Sequence, residues 1–504
     1  MINHKRPFSF DPDLNDACIA KASIGFGLVS VTARVIMQCV NLAATMIMAR
    51  ILTKDDYGLV AMVVAVVAIL ETFKEIGLST AIVQSDEMDH KKVNSLFWIN
   101  AGLGFVITLI LVMSAPFIAW FYNRNEMRGI TLALASGFLA ASLCIQHWAL
   151  MRRKLYFRTL AYVEVFATFC GAATGIVMAL SGFGYWSIVV FILVPRFIIL
   201  ISAWVVCSWR PTLSFEKKNV HNAVRFGFHI TGYSLAEGMV RSISSVLIGK
   251  FSGAQLLGLY NRAMRCIEMP ANLIAAPCYS IGVAALSRMQ NTPKEFRRLF
   301  LAFVCVLTTI SMVFCIFFTL IPREIVMLLL GKQWVDSSSI VRLLAPVSVL
   351  FPLNRIMVAC YISKGNTKRL FKWGIISLIF TVILFVVGIK FGPHGIAFAY
   401  TLSLLVTVML NVYVATYKIG ITVKDVVKEI QNPLMAGVVA IGTGGAVNFL
   451  LNGTFEAQWM YAFSRIIPAI FVYLMIMGLH ERQRKMYKLV AQYLKTWVLK
   501  KKRG

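Results

Sequence analysis

Apolar residues run almost unbroken for about 20 positions at a time along this chain, and short polar stretches separate the runs. Stretches such as FILVPRFIILISAWVV and FVCVLTTISMVFCIFFTL are too long for strands. They match the length a helix needs to cross a hydrocarbon layer of roughly 30 Å. Lipid offers the backbone no hydrogen-bond partner, so such segments cross as helices. The pattern predicts an all-α polytopic membrane protein with about fourteen spans. It comprises a tail over 1–22, a first lobe of six helices over 23–207 and a linker over 208–224. A second lobe of six follows over 225–416, then two further helices within 417–479 and a basic tail over 480–504. The residues of the first tail form no cleavable leader, and the tail is expected to stay attached.

Composition agrees, with 59% hydrophobic and only 14% charged residues, whereas the formal charge of +28 raises the question of nucleic acid. Its distribution answers it. Assigned to alternate sides of the predicted spans, the connections and tails carry 33 Lys and Arg on the side of the termini and 8 on the other. That asymmetry predicts both termini cytoplasmic, with the basic C-terminal tail facing anionic lipid headgroups. Nucleic acid is not needed as a partner. No connection is long enough for an extramembrane domain, which argues against a membrane glycan polymerase or ligase. The chain holds no phosphate-binding G-x-x-x-x-G-K-[ST] loop, its ten cysteines form no C-x-x-C pair and its seven histidines show no metal spacing. The one D-x-D, Asp11 to Asp13, sits in the tail. Neither a cofactor, a metal nor a catalytic residue is expected.

A displacement of 200 residues brings TMIMARILTKDDYGLVAM, from Thr45, onto SVLIGKFSGAQLLGLYNR, from Ser245. Each copy has a long span, a basic residue, a short turn and Gly-Leu opening the next span. Two pseudo-symmetric lobes follow, related by an axis along the membrane normal, with a cavity expected between them.

Charges inside the spans are costly in lipid, about 2.5 to 3.5 kcal/mol each at a helix centre, and so should face an interior. Nine bases and five acids lie there, and the excess is cationic. Arg34, Gln38 and Asn41 share one face of the first helix; Glu237 and Arg241 share one on the seventh, and Arg265 and Glu268 one on the eighth beside Arg262. With Arg196, these make the candidate substrate-binding set: Arg34, Gln38, Asn41, Arg196, Glu237, Arg241, Arg262 and Arg265. Glu237 with Arg241 and Arg265 with Glu268 could equally neutralise each other, and Arg355 could reach the headgroups. Arg465 reads as structural or lipid-facing. In VVAVVAILETFKEIGLSTAIVQ, Glu71 lies about 21 Å along its helix from Tyr57. Glu71, Lys74 and Glu164 are candidates for ion coupling or a gate, and a helix-end ion pair of Glu71 with Lys74 explains those two as well.

The motifs ARILTKDDYGLVAM, FKEIGLSTAIVQ and LIGKFSGAQLLGLYNRAMRCIEMP resemble those of bacterial polysaccharide flippases of the Wzx type. These form the colanic acid and succinoglycan exporter branch of the multidrug/oligosaccharidyl-lipid/polysaccharide (MOP) superfamily. The resemblance implies movement of an undecaprenyl-pyrophosphate-linked oligosaccharide between leaflets, with a lipid-linked sugar as substrate and polymerase or export machinery as partners. It implies a carrier, not an enzyme. A drug exporter or a peptidoglycan-precursor transporter of the same superfamily is the alternative; the cationic excess disfavours the former.

Overall fold

The computed structural model describes residues 16–74, 90–154, 156–212, 221–416, 421–450, 458–480 and 484. Asp11, Asp13, Glu75, the FKEIGLSTAIVQ motif beyond Lys74 and almost all of the basic tail lie outside them. Among the described residues the regular structure is helical throughout, and helix occupies at least part of every predicted span.

The chain divides into two compact units after Lys250. The first holds α1 (Asp16–Ile51), α2 (Lys54–Lys74), α3 (His90–Tyr122), α4 (Glu126–Arg153), α5 (Phe157–Leu180), α6 (Tyr185–Val206) and most of α7 (His221–Ser252). Here α3 packs on α4, α5 on both α1 and α6, and α2 against α3, α4 and α6. The second unit holds α8 (Ala254–Arg288), α9 (Pro293–Leu320), α10 (Pro322–Leu329), α11 (Ser337–Leu344), α12 (Val347–Ser363), α13 (Thr367–Gly388), α14 (Gly392–Thr416), α15 (Val423–Leu450) and α16 (Gln458–Leu479). Its centre is α9, which touches α8, α12, α15 and α16.

Ten helical stretches among the described residues are long and apolar enough to cross a membrane, or up to eleven if a bent pair counts as one span. The chain is a multi-pass membrane protein, and the count of fourteen is not reached by that measure. Two breaks account for part of the difference. Pro346 cannot donate to the carbonyl of Arg342, and α11 and α12 meet at 42° there. The 49-residue stretch from Thr367 to Ala415 doubles back through Gly392 (φ 63°) into two helices that pack on each other. The two remaining predicted spans, α2 and α7, are absent from the ten.

Packing follows the logic of lipid and not of water. On α5 the buried positions after Leu160 are all small, Ala161, Ala167, Gly171, Ala172, Gly175 and Ala179, while Tyr162, Phe166 and Phe169 point outward, Phe166 being 60% exposed. Large apolar side chains gain little by leaving hydrocarbon, and small ones let backbones approach closely. Gly171 and Gly175 form a G-x-x-x-G step whose absent side chains would strike Pro195 and Phe191 of α6, at 2.5 and 2.9 Å.

The turn between α1 and α2 explains one part of the sequence motif. Thr53 and Asp56 form a capping box: the Thr53 amide and hydroxyl donate to Asp56 Oδ2 at 2.9 and 2.6 Å, and the Asp56 amide donates back to Thr53 Oγ1 at 3.2 Å. Neighbouring Asp55 pairs with Arg124 at 3.3 Å, both partly exposed. Exposed pairs contribute about 0.2–1 kcal/mol, whereas a lost cap costs typically about 1 kcal/mol. Asp56→Ala is therefore expected to lower the thermal midpoint of the detergent-solubilised chain more than Asp55→Ala does; equal shifts would overturn the assignment. In the second copy the aligned positions are Gly253 and Leu256, and the turn is made by Gly253 at φ 86°.

Candidate functional site

The first unit brings Arg196 and Glu71 together. Arg196 Nη2 donates to Glu71 Oε1 at 2.6 Å, across 125 residues of sequence, with the side chains 26% and 39% exposed. Three local features place the guanidinium. Pro195, one residue earlier, has no amide proton for the carbonyl of Phe191, and that carbonyl faces Gly171 of α5, where no side chain stands in the way. The close α5–α6 contact through Gly171 and Gly175 holds this turn of α6. On the other side Gly137 of α4 leaves the space the arginine needs, since a Cβ there would lie 3.1 Å from both Arg196 Cδ and Nη1. The arginine thus lies along α4 and reaches α2.

A second charged group surrounds Glu164. This half-buried carboxylate on α5 is within electrostatic reach of Arg152 at the end of α4 and of Arg34 on α1. Arg34 is exposed, and Gln38 and Asn41 continue its stripe half-buried. Both arginines that lacked an acid at helical spacing therefore have one on another helix. The Arg196–Glu71 hydrogen bond is charge-assisted, a type shorter and about twice as strong as a neutral one. Glu71 is a single carboxylate beside a fork with five donors, so a larger anion can still be accommodated.

The other predicted residues are placed as follows. Lys74 ends α2, and its side chain lies outside the described residues; the structure gives the Glu71 carboxylate to Arg196. On α7, Glu237 is half-buried and Arg241 exposed. In the second unit, Arg262 and Glu268 are half-buried and Arg265 is exposed on α8. Arg355 stacks on Phe351 at 4.9 Å and Arg465 on Tyr461 at 5.8 Å, contacts that give each cation an aromatic face. His147 is fully buried between Trp204 and Trp209, with ring centroids at 4.8 and 5.3 Å, and belongs to the packing. Among the described residues no group of three or more His, Cys, Asp or Glu could hold a metal ion.

Sequence reading missed Gly137, Gly171, Gly175, Pro195 and Arg152. Only GAATG, from Gly171, carried a visible signal, as a close-packing step on an apolar helix.

The family model described as "Polysaccharide biosynthesis protein" matches residues 47–339, more than half of the chain. The chain belongs to that family. The matched region includes the Thr53–Asp56 turn and the charged positions from Glu71 to Arg265, while Arg34, Gln38 and Asn41 precede it. The lipopolysaccharide biosynthesis protein WzxC of Escherichia coli (strain K12) is 20% identical over 432 residues, 84% of this chain and 87% of that protein. The succinoglycan biosynthesis transport protein ExoT of Rhizobium meliloti (strain 1021) is 25% identical, over 73% of this chain and 74% of its own length. Among solved structures, the lipid II flippase MurJ in an inward closed conformation aligns over 90% of this chain and 99% of its own, with a TM-score of 0.71 at 15% identity. The fold is shared with solved transporters of the MOP superfamily.

Proposed function

We propose that this protein is a flippase, moving undecaprenyl-pyrophosphate-linked oligosaccharide units from the inner to the outer leaflet of a bacterial inner membrane by alternating access of a cationic cavity. The observation that carries the reading is the accessible Arg196–Glu71 contact between apolar helices, with Arg34 within electrostatic reach of Glu164. Cationic forks inside apolar helices suit an anion of two phosphates, and arginine matches phosphate oxygens bidentately. The names of WzxC, a lipopolysaccharide biosynthesis protein, and ExoT, a succinoglycan biosynthesis transport protein, support polysaccharide precursors as the cargo class. The structural likeness to MurJ supports a lipid-linked one. Gln38, Asn41, Glu237, Arg241, Arg262 and Arg265 complete the proposed binding set. Glu164, with Glu71 and Lys74, belongs to a proposed gate, and a glycan polymerase and export machinery are the proposed partners. Deleting the gene in its host should leave lipid-linked oligosaccharide on the cytoplasmic leaflet, resistant to a glycosidase added outside intact cells. Its appearance outside at the wild-type rate would overturn the reading.

The full proposed architecture has fourteen spans in two six-helix lobes plus two helices, with both termini cytoplasmic, from the 33 to 8 distribution of Lys and Arg. Alkaline phosphatase fused after Asn125 should be active and after Lys154 or Arg503 inactive. Activity at the C-terminal fusion would exclude that topology.

A further inference from the structure

We propose that Glu71 is a resident competitor for the anion-binding guanidinium of Arg196: the carboxylate holds the arginine between transport cycles and displaces the substrate's diphosphate at release. The inference rests on the flippase reading and adds a release step to it.

Three observations lead there. The contact is short and made by a single pair of atoms, Arg196 Nη2 to Glu71 Oε1 at 2.6 Å. A carboxylate contacting one nitrogen of the guanidinium leaves an approach for phosphate oxygens before it has itself departed. The pair is also only part-covered, at 26% and 39% exposure, so an incoming ligand can reach it without unpacking the unit. Finally, its members stand on different helices, α2 and α6, so the bond forms or breaks with any relative movement of the two.

The chemistry supplies the direction. A glycosyl lipid diphosphate carries one negative charge on each phosphorus and more acceptor oxygens than a carboxylate, so it wins the arginine when it enters. Leaving is the harder step. An arginine stripped of its anion in a membrane interior is a poorly solvated cation, and the substrate would remain as its only counter-ion. A carboxylate tethered one hydrogen bond away removes that penalty and lets the diphosphate go. The exchange transfers no proton and breaks no covalent bond; one anion replaces another on the same donors.

A mere tie between α2 and α6 makes the opposite prediction for binding, which makes the proposal testable. The full-length chain in detergent is titrated with farnesyl diphosphate, and separately with inorganic diphosphate, by calorimetry. Glu71→Gln is expected to bind farnesyl diphosphate about tenfold more tightly than the unaltered protein and to move lipid-linked sugar more slowly. Arg196→Gln should lose most of the binding, and adding Glu71→Gln to it should restore none. Parallel gains with inorganic diphosphate place the competition at the diphosphate; gains with the farnesyl compound alone place it at the lipid and overturn the proposal. Unchanged or weaker binding by Glu71→Gln overturns it too, as does a gain in the Arg196→Gln background, which would reveal a general field effect. Should Glu71→Gln fail to accumulate, Glu71→Asp, whose arm is one methylene shorter, must show a gain of about threefold or the proposal falls. If the unaltered protein binds neither diphosphate, the flippase reading fails with it.

Discussion

An Arg196→Ala chain is expected to export at most about one part in a hundred of the wild-type polysaccharide. The pair with Glu71 is part-exposed and accounts for little of this; the loss comes from the diphosphate contact assigned to the same guanidinium, in which each charge-assisted hydrogen bond contributes about 1.5–3 kcal/mol. Two losses are combined in this variant. One is the anion contact; the other is the Glu71 carboxylate left without its partner. A Glu71→Gln/Arg196→Ala pair separates them, since it removes the stranded charge and should restore membrane abundance without restoring export. Arg196→Lys should fall between, because an ammonium keeps the charge and loses the fork. Export measured at matched protein level, by secreted polysaccharide per unit of immunodetected chain, checks the set. Normal export by Arg196→Ala would remove Arg196 from the site.

The largest effect on the fold is expected at Gly395. A Cβ at this position would lie 2.0 Å from the carbonyl oxygen of Gly388 and 2.7 Å from Phe391 Cβ. The obstacle is backbone and cannot rotate away. Gly395→Ala must therefore push α13 and α14 apart where the chain doubles back, at a cost of about 3 kcal/mol, and little protein should reach the membrane. Gly442→Ala is the control. It sits inside α15 with nothing within 4 Å of the added methyl, and replacing a helix-interior glycine there is expected to be neutral or to gain up to about 1 kcal/mol. Fluorescence-detected size-exclusion of tagged variants distinguishes the two outcomes, and equal profiles would mean that the hairpin is looser than its backbone contact indicates.

Particular residues show how far the sequence could be read. Arg196 and Arg34 stood out because no acid lay three or four positions away, and an unmatched cation in an apolar helix is costly wherever that helix packs. Glu71 stood out as a charge inside an apolar helix, but its partner on another helix did not. Helical periodicity offers only neighbours on the same face, so Lys74 was the acid's apparent mate, while the structure supplies Arg196 from four helices further on. Gly137 was invisible: nothing in SGFLAAS indicates that an arginine of α6 will lie against that glycine. The capping box at Thr53 and Asp56, by contrast, is contained in four consecutive residues.

What the sequence determined by itself was therefore everything that lipid imposes locally. Apolar length required helices, because the backbone must satisfy its own hydrogen bonds within each span, and the count of cations on alternate connections set the expected orientation. The tertiary structure decided which charges meet. The cost of a charge in an apolar helix is local and legible at its own position, whereas its relief depends on a second side chain and on helices positioned by packing elsewhere, as Gly171 and Gly175 of α5 hold α6 beneath Pro195.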